Sequence, residues 1–140
     1  VPSPVRRRCR RAAVFARLRH ESAQIKNGMG IINSSLMKRY LNNLPEGWFP
    51  TNPKRAETFQ AELQRELPNG HLLKGRTVLI LAHCEGTDDI LCQHIDEPDR
   101  FTVVHLSWIG KTEINAQHPF VEVDGSFDDF LEYASNIMNQ

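Results

Sequence analysis

The chain has 140 residues, 40% of them hydrophobic and 24% charged, and its formal net charge is zero. That length sets it as one domain with room for a real core, and no apolar run reaches the ~18 residues needed to span a bilayer. Three cysteines (Cys9, Cys84, Cys92), an odd number with no C-x-x-C, argue against a secreted disulfide scaffold and for a reducing cytoplasm.

The zero balance hides an asymmetry. Residues 1–40 carry ten Lys or Arg and one acid, Glu21, whereas residues 41–140 carry seven Lys or Arg and sixteen acids. Residues 1–43 read as a basic leader, flexible or partly helical, ahead of a single domain over 44–140. "VPSPVRRRCRRAAVFARLRH" holds seven Arg and no acid. It could bind nucleic acid phosphates through Arg6, Arg7, Arg8, Arg10 and Arg11, serve as a transit peptide, or have no part in the fold. Ile31, Ile32, Leu36, Tyr40 and Leu41 follow at loosely helical spacing.

"LPEGWFPTNPKR" is rich in turn residues, with Trp48 and Phe49 placed to anchor it on the core. Asn52 makes an N-cap with Pro53 at the first helical position. Ala56, Phe59, Leu63 and Leu67 then form one stripe, which predicts a helix over 53–67, ended by "PNG". Three β-rich runs follow at 76–84, 89–95 and 100–108, linked by "EGTD" and "DEPD". Links this short fit antiparallel neighbours, since parallel strands need a crossover of a dozen or more residues. "FVEV" at 120–123 offers a possible fourth edge strand. Ser126 and Asp129 form a capping box ahead of a helix over 127–138. The expected fold is α+β: a three-stranded antiparallel meander with both helices packed on one face.

"HCEGTDDILCQH" holds two His and two Cys. A turn centred on Gly86 and Thr87 pairs His83 with Ile90, Ala82 with Leu91 and Leu81 with Cys92. The second turn pairs Leu91 with Val104 and Ile90 with His105. Side chains alternate faces along a strand, so His83 and Cys84 cannot ligate one ion. His83, Cys92 and His94 share a face but run diagonally and lack a fourth ligand, so no metal site is expected there. Both faces of this meander are rich in apolar groups, where a sheet with one wet face would alternate with polar ones. If two helices cover one face, the 1–44 segment or a second copy must cover the other. Val104, Leu106 and Trp108 are the residues placed at such an interface.

The turn at 85–89 and the loop at 109–118 fall at the same end of the meander. Glu85, Asp88, Asp89, His105, Trp108 and Lys111 could gather there, with His105, Asp88 and Asp89 the candidates for acid–base work. A cleft there, with an accessible His105 and a carboxylate in hydrogen-bond reach, would favour that site. G-x-S-x-G, Walker A, G-x-G-x-x-G and H-E-x-x-H motifs are absent, so no cofactor is expected.

"DDILCQHIDEPDRFTVVHLSW", with "LPEGWFPTNPKRAETFQAELQREL" upstream, resembles a group of small bacterial proteins. They share a D-D-x-L strand followed by V-V-H-L-[ST]-W. The resemblance spans about residues 44–134 and implies a bacterial, intracellular domain with no established activity. The functional expectation is a non-enzymatic interaction module, acting as a homodimer or with a protein partner, such as an antitoxin or immunity-type inhibitor. Nucleic-acid binding through the leader and a small enzyme at the 85–89 and 105–111 rim are the alternatives. No membrane association is expected.

Overall fold

The computed structural model describes residues 26–27, 30–31 and 34–138, with side chains from 37 to 137. A two-residue ribbon, β1 (Lys26–Asn27) with β2 (Gly30–Ile31), precedes helix α1 (Ser34–Leu41). Then come β3 (Trp48–Pro50), α2 (Pro53–Glu66), β4 (Val78–Cys84), β5 (Asp89–His94), β6 (Phe101–His105), β7 (Phe120–Gly125) and α3 (Phe127–Met138). Strands β3 to β7 form one antiparallel sheet in sequence order. The domain is thus α+β, with five strands where the sequence suggests three or four. β7 is the expected edge strand. β3 is the unexpected one: Trp48, Phe49 and Pro50 pair with Cys84, His83 and Ala82.

The helices do not share a face. Phe59, Leu63 and Leu67 of α2 and its C-terminal cap pack on Val78, Ile80, Ile90, Cys92 and Val104. Phe130 and Ala134 of α3 pack on the opposite side, with Leu79, Leu81, Leu91, Phe101 and Val103. The physical reason is the sheet itself. All seven residues of β4 and all six of β5 are buried, so both faces need a cover. α1 supplies the rest of that second cover through Met37 and Leu41. Tyr40 stacks at 4.9 Å on both Phe101 and Phe127, and Trp48 meets Phe130 at 5.0 Å. The packed unit therefore reaches back into the segment assigned to the leader, at least to α1. No second copy is needed to complete either face.

The first hairpin pairs His83 with Ile90 and Ala82 with Leu91, as the turn predicts. A bulge between Ile80 and Ala82 then sets Ile80, not Leu81, opposite Cys92. The second hairpin is shifted by one residue: Ile90 faces Val104 and Asp89 faces His105. β6 also stops at His105, three residues before Trp108. Beyond it, the backbone N–H groups of Ser107 and Trp108 donate to a helix carboxylate instead of a strand.

Both main helices begin as their sequences dictate. Asn52 Oδ1 accepts from the Arg55 N–H at 2.8 Å, with Pro53 next in line. Ser126 Oγ accepts from the Asp129 N–H, and Asp129 Oδ2 accepts from the Ser126 N–H. A Cβ on Gly125 would run into that Asp129 carboxylate. Gly125→Ala should therefore open the capping box and cost about 1 kcal/mol, the usual worth of an N-cap. Urea unfolding would read this as a lowered midpoint, matched by Ser126→Ala. An unchanged midpoint in both would mean the cap contributes nothing.

Candidate functional site

Two neighbouring constructions occupy the end of the sheet near the 85–88 turn. The first is a brace for the loop after β6. Glu62 and Glu66 lie one turn apart on the stripe that buries Phe59 and Leu63, and both carboxyls are buried with it. Glu66 accepts from the Ser107 N–H at 2.9 Å and the Trp108 N–H at 2.7 Å. Glu62 accepts from the Gly110 N–H at 3.1 Å and from Arg65. The Glu113 N–H donates to the Glu66 carbonyl at 3.0 Å. Farther along, His71 Nε2 donates to the Pro119 carbonyl at 2.6 Å, since its Nδ1 accepts from the Leu73 N–H. The two carboxyls also hydrogen-bond each other. Burial and then that contact raise Glu66 to about 7, while the same contact holds Glu62 below the usual carboxylate range. Near neutrality the pair shares one proton.

The brace fixes Trp108 at φ 57°, a left-handed conformation that residues other than Gly seldom adopt. The indole N–H donates to Asp88 Oδ1 at 2.9 Å and its ring packs 5.9 Å from Phe59. Trp108 nonetheless remains 40% exposed, and Ile109, Ile114 and Phe120 on the same segment are exposed as well.

The second construction is a histidine dyad. Asp89 and His105 face each other across β5 and β6, and Asp89 Oδ1 accepts from His105 Nδ1 at 2.8 Å. Asp89 is buried, whereas the His105 side chain is half exposed. That hydrogen bond raises the His105 pKa, with the Asp89, Glu122 and Asp88 charges adding to it. Glu122 joins from β7, where Val103 pairs with Val123 and Val104 with Val121, leaving Glu122 as the extra residue of a bulge.

The expected rim is thus present in part. Asp88, Asp89, His105 and Trp108 gather at it. Glu85 turns toward α2 instead, meeting His83 Nε2 at 3.2 Å and Arg55 at 3.9 Å. Lys111 is exposed. Glu62, Glu66 and Glu122 were not among the candidates that sequence reasoning assembled.

His83, Cys92 and His94 are not brought to a common point. Thr51 Oγ1 lies 2.7 Å from His83 Nδ1, and Arg55 Nη1 donates to Nε2 at 3.1 Å. Burial lowers the His83 pKa to about 4, so the ring is neutral and its Nδ1 carries the proton. Burial likewise lowers His94. Its Nε2 donates to Thr102 Oγ1 at 2.7 Å, since that hydroxyl donates onward to Asp124 at 2.6 Å. Burial pushes the Cys92 thiol up to about 12, which leaves it inert. Among the described residues, the donors that converge closely enough for one ion are Asp89, His105 and Glu122.

Val104 and Leu106 are core residues beneath α2 and do not reach the surface, in contrast to Trp108. Arg6, Arg7, Arg8, Arg10 and Arg11 lie outside the described residues. No helix among those described is long and apolar enough to cross a membrane. In comparisons with known proteins, no family, no curated protein and no solved structure matches this chain.

Proposed function

We propose that the chain is a protein-interaction module, acting by binding rather than catalysis, whose docking surface is the segment from Trp108 to Phe120. The observation that supports this reading most is the brace under Trp108. Two buried carboxyls hold the backbone in a conformation that costs roughly 1–3 kcal/mol, and the result is an indole presented to solvent. Ile109, Ile114 and Phe120 extend the apolar surface. Ties at Ser107, Trp108, Gly110, Glu113 and Pro119 order the segment before any partner arrives. Such preorganisation lowers the entropy cost of association, and Trp is among the residues that most often dominate interfaces.

The partner we infer is a different protein, with an apolar recess bordered by basic groups. Residues 41–140 carry sixteen acids against seven bases, which favours basic groups around the partner's recess. The coverage of both sheet faces also removes the surface that the sequence assigned to a second copy.

Site-specific photocrosslinking in source cells tests this. A photoreactive phenylalanine replaces Ile114, which is fully exposed, in the full chain, and a control replaces Glu57 on the outer side of α2. A discrete adduct from position 114 is expected, absent from position 57 and reduced roughly tenfold or more by Trp108→Ala, as for an interface hot spot. No adduct at 114, or one indifferent to Trp108→Ala, would overturn the reading. An adduct of twice the chain mass would replace the different partner with a second copy.

A further inference from the structure

We propose that Asp89, His105 and Glu122 form a binding site for a divalent transition-metal ion. The three residues come from adjacent strands β5, β6 and β7. One donor atom from each lies within 4.8 Å of the other two. Two donors held about 2.1 Å from a shared ion are themselves roughly 3–3.4 Å apart. The 2.8 Å between Asp89 Oδ1 and His105 Nδ1 needs to open by only a few tenths of an ångström to admit the ion between them.

The backbone supplies an independent argument. Without the bulge, the strand alternation of β7 would continue regularly past Val123, the partner of Val103. The extra residue interrupts it and re-aims the Glu122 carboxylate toward His105, a use of bulges that recurs beside functional sites. Asp89 is buried and fixed by register, so it forms the inner wall. His105 is half exposed and Glu122 partly so, which leaves an outer side through which an ion enters and water completes its shell. One imidazole with two carboxylates suits Zn²⁺ or Mn²⁺ and disfavours soft Cu(I), which prefers sulfur. The two negative charges would neutralise the ion. Asp89 and Glu122 also interact with other groups, so the ion competes with those contacts.

Binding displaces the Nδ1 proton of His105, whose affinity is raised by the Asp89 hydrogen bond and by the charges of Glu122 and Asp88 facing it. Metal affinity therefore increases with pH until His105 is neutral. The proposal rests on residues other than those that carry the docking reading, although Phe120 pairs with His105 across β6 and β7.

Calorimetric titration of the metal-free full chain with Zn²⁺ and with Mn²⁺ tests it, alongside His105→Ala and Glu122→Gln. Both positions are partly exposed, so the variants keep the fold, which circular dichroism checks. The expected result is one ion per chain, bound roughly tenfold or more weakly by each variant. Long-range ¹H–¹⁵N spectra should show the His105 Nδ1 resonance shifting with the same stoichiometry. Failure of wild-type protein to bind either ion at millimolar concentration would overturn the proposal. So would binding that both folded variants retain, since the ion would then sit elsewhere.

Discussion

Val104→Asp is expected to abolish cooperative folding. Val104 is fully buried in the layer between the sheet and α2, among Ile90, Cys92, Leu63 and Leu106. A carboxylate there would have no counter-charge in the apolar cluster, and burying it unpaired costs several kcal/mol even after it takes up a proton. Domains of this size have only about 5–15 kcal/mol in hand. The loss should be read as missing near-ultraviolet dichroism and no urea transition. Val104→Ala separates charge from volume. It should fold, with stability reduced by about 2 kcal/mol for the lost methyl groups and the cavity. A soluble Val104→Asp protein with an unchanged transition would mean that β6 has been placed wrongly. Because Val104 is internal, the same substitution acts on folding and not on an interface.

Glu66→Ala should cost about 2–4 kcal/mol. It would leave the Ser107 and Trp108 N–H groups without their acceptor and open a cavity beneath the loop. Glu66→Gln keeps an acceptor oxygen and most of the volume, so it should cost less. It also removes the shared proton, which makes the pH dependence the sharper measurement. Glu66 titrates at about 7 in the folded chain against an ordinary 4.5. The folded state therefore holds a proton that the unfolded state has released. The resulting stability is fully present below pH 4.5 and is lost as pH rises through about 7. Glu62, lowered by the same contact, acts in the opposite sense at lower pH. Urea midpoints from about pH 5 to about pH 8 should thus fall in the wild-type chain relative to Glu66→Gln. Parallel curves for the two proteins would show that the carboxyls do not share a proton. Trp108 fluorescence should follow the same transition, with Trp48, buried against Phe130, as the insensitive reference.

The helices over 53–66 and 127–138 were legible because their apolar stripes repeat at helical spacing between clear start and stop residues. The first hairpin was legible from its tight Gly86 turn. The slip of the second hairpin was not, because a strand buried on both faces lacks the polar alternation that specifies register. The same double burial hid the bulge at Leu81 and misplaced the helices on one side. β3 is three residues long and bounded by prolines, so only its pairing with β4 identifies it. Glu62 and Glu66 could have been found: at spacing four, interleaved with Phe59 and Leu63, they fall on the buried stripe. Carboxylates usually face water, and that prior concealed them. Glu122 depends on a bulge in β7, which leaves no composition signal.

The cover opposite α2 is drawn from helices on either side of the meander in chain order: α1 precedes every strand of the sheet and α3 follows them all. A ribosome therefore delivers β3 to β7 and α2 before it delivers Phe130 and Ala134. During that interval Leu81, Leu91 and Val103 have α1 alone over them. A released chain truncated after Gly125 should bind a hydrophobic dye and recruit chaperones, whereas one that continues through Met138 should not. The domain thereby closes only once α3 has followed the sheet in synthesis, and nonsense mutations within α3 would yield aggregating protein instead of a trimmed but working one.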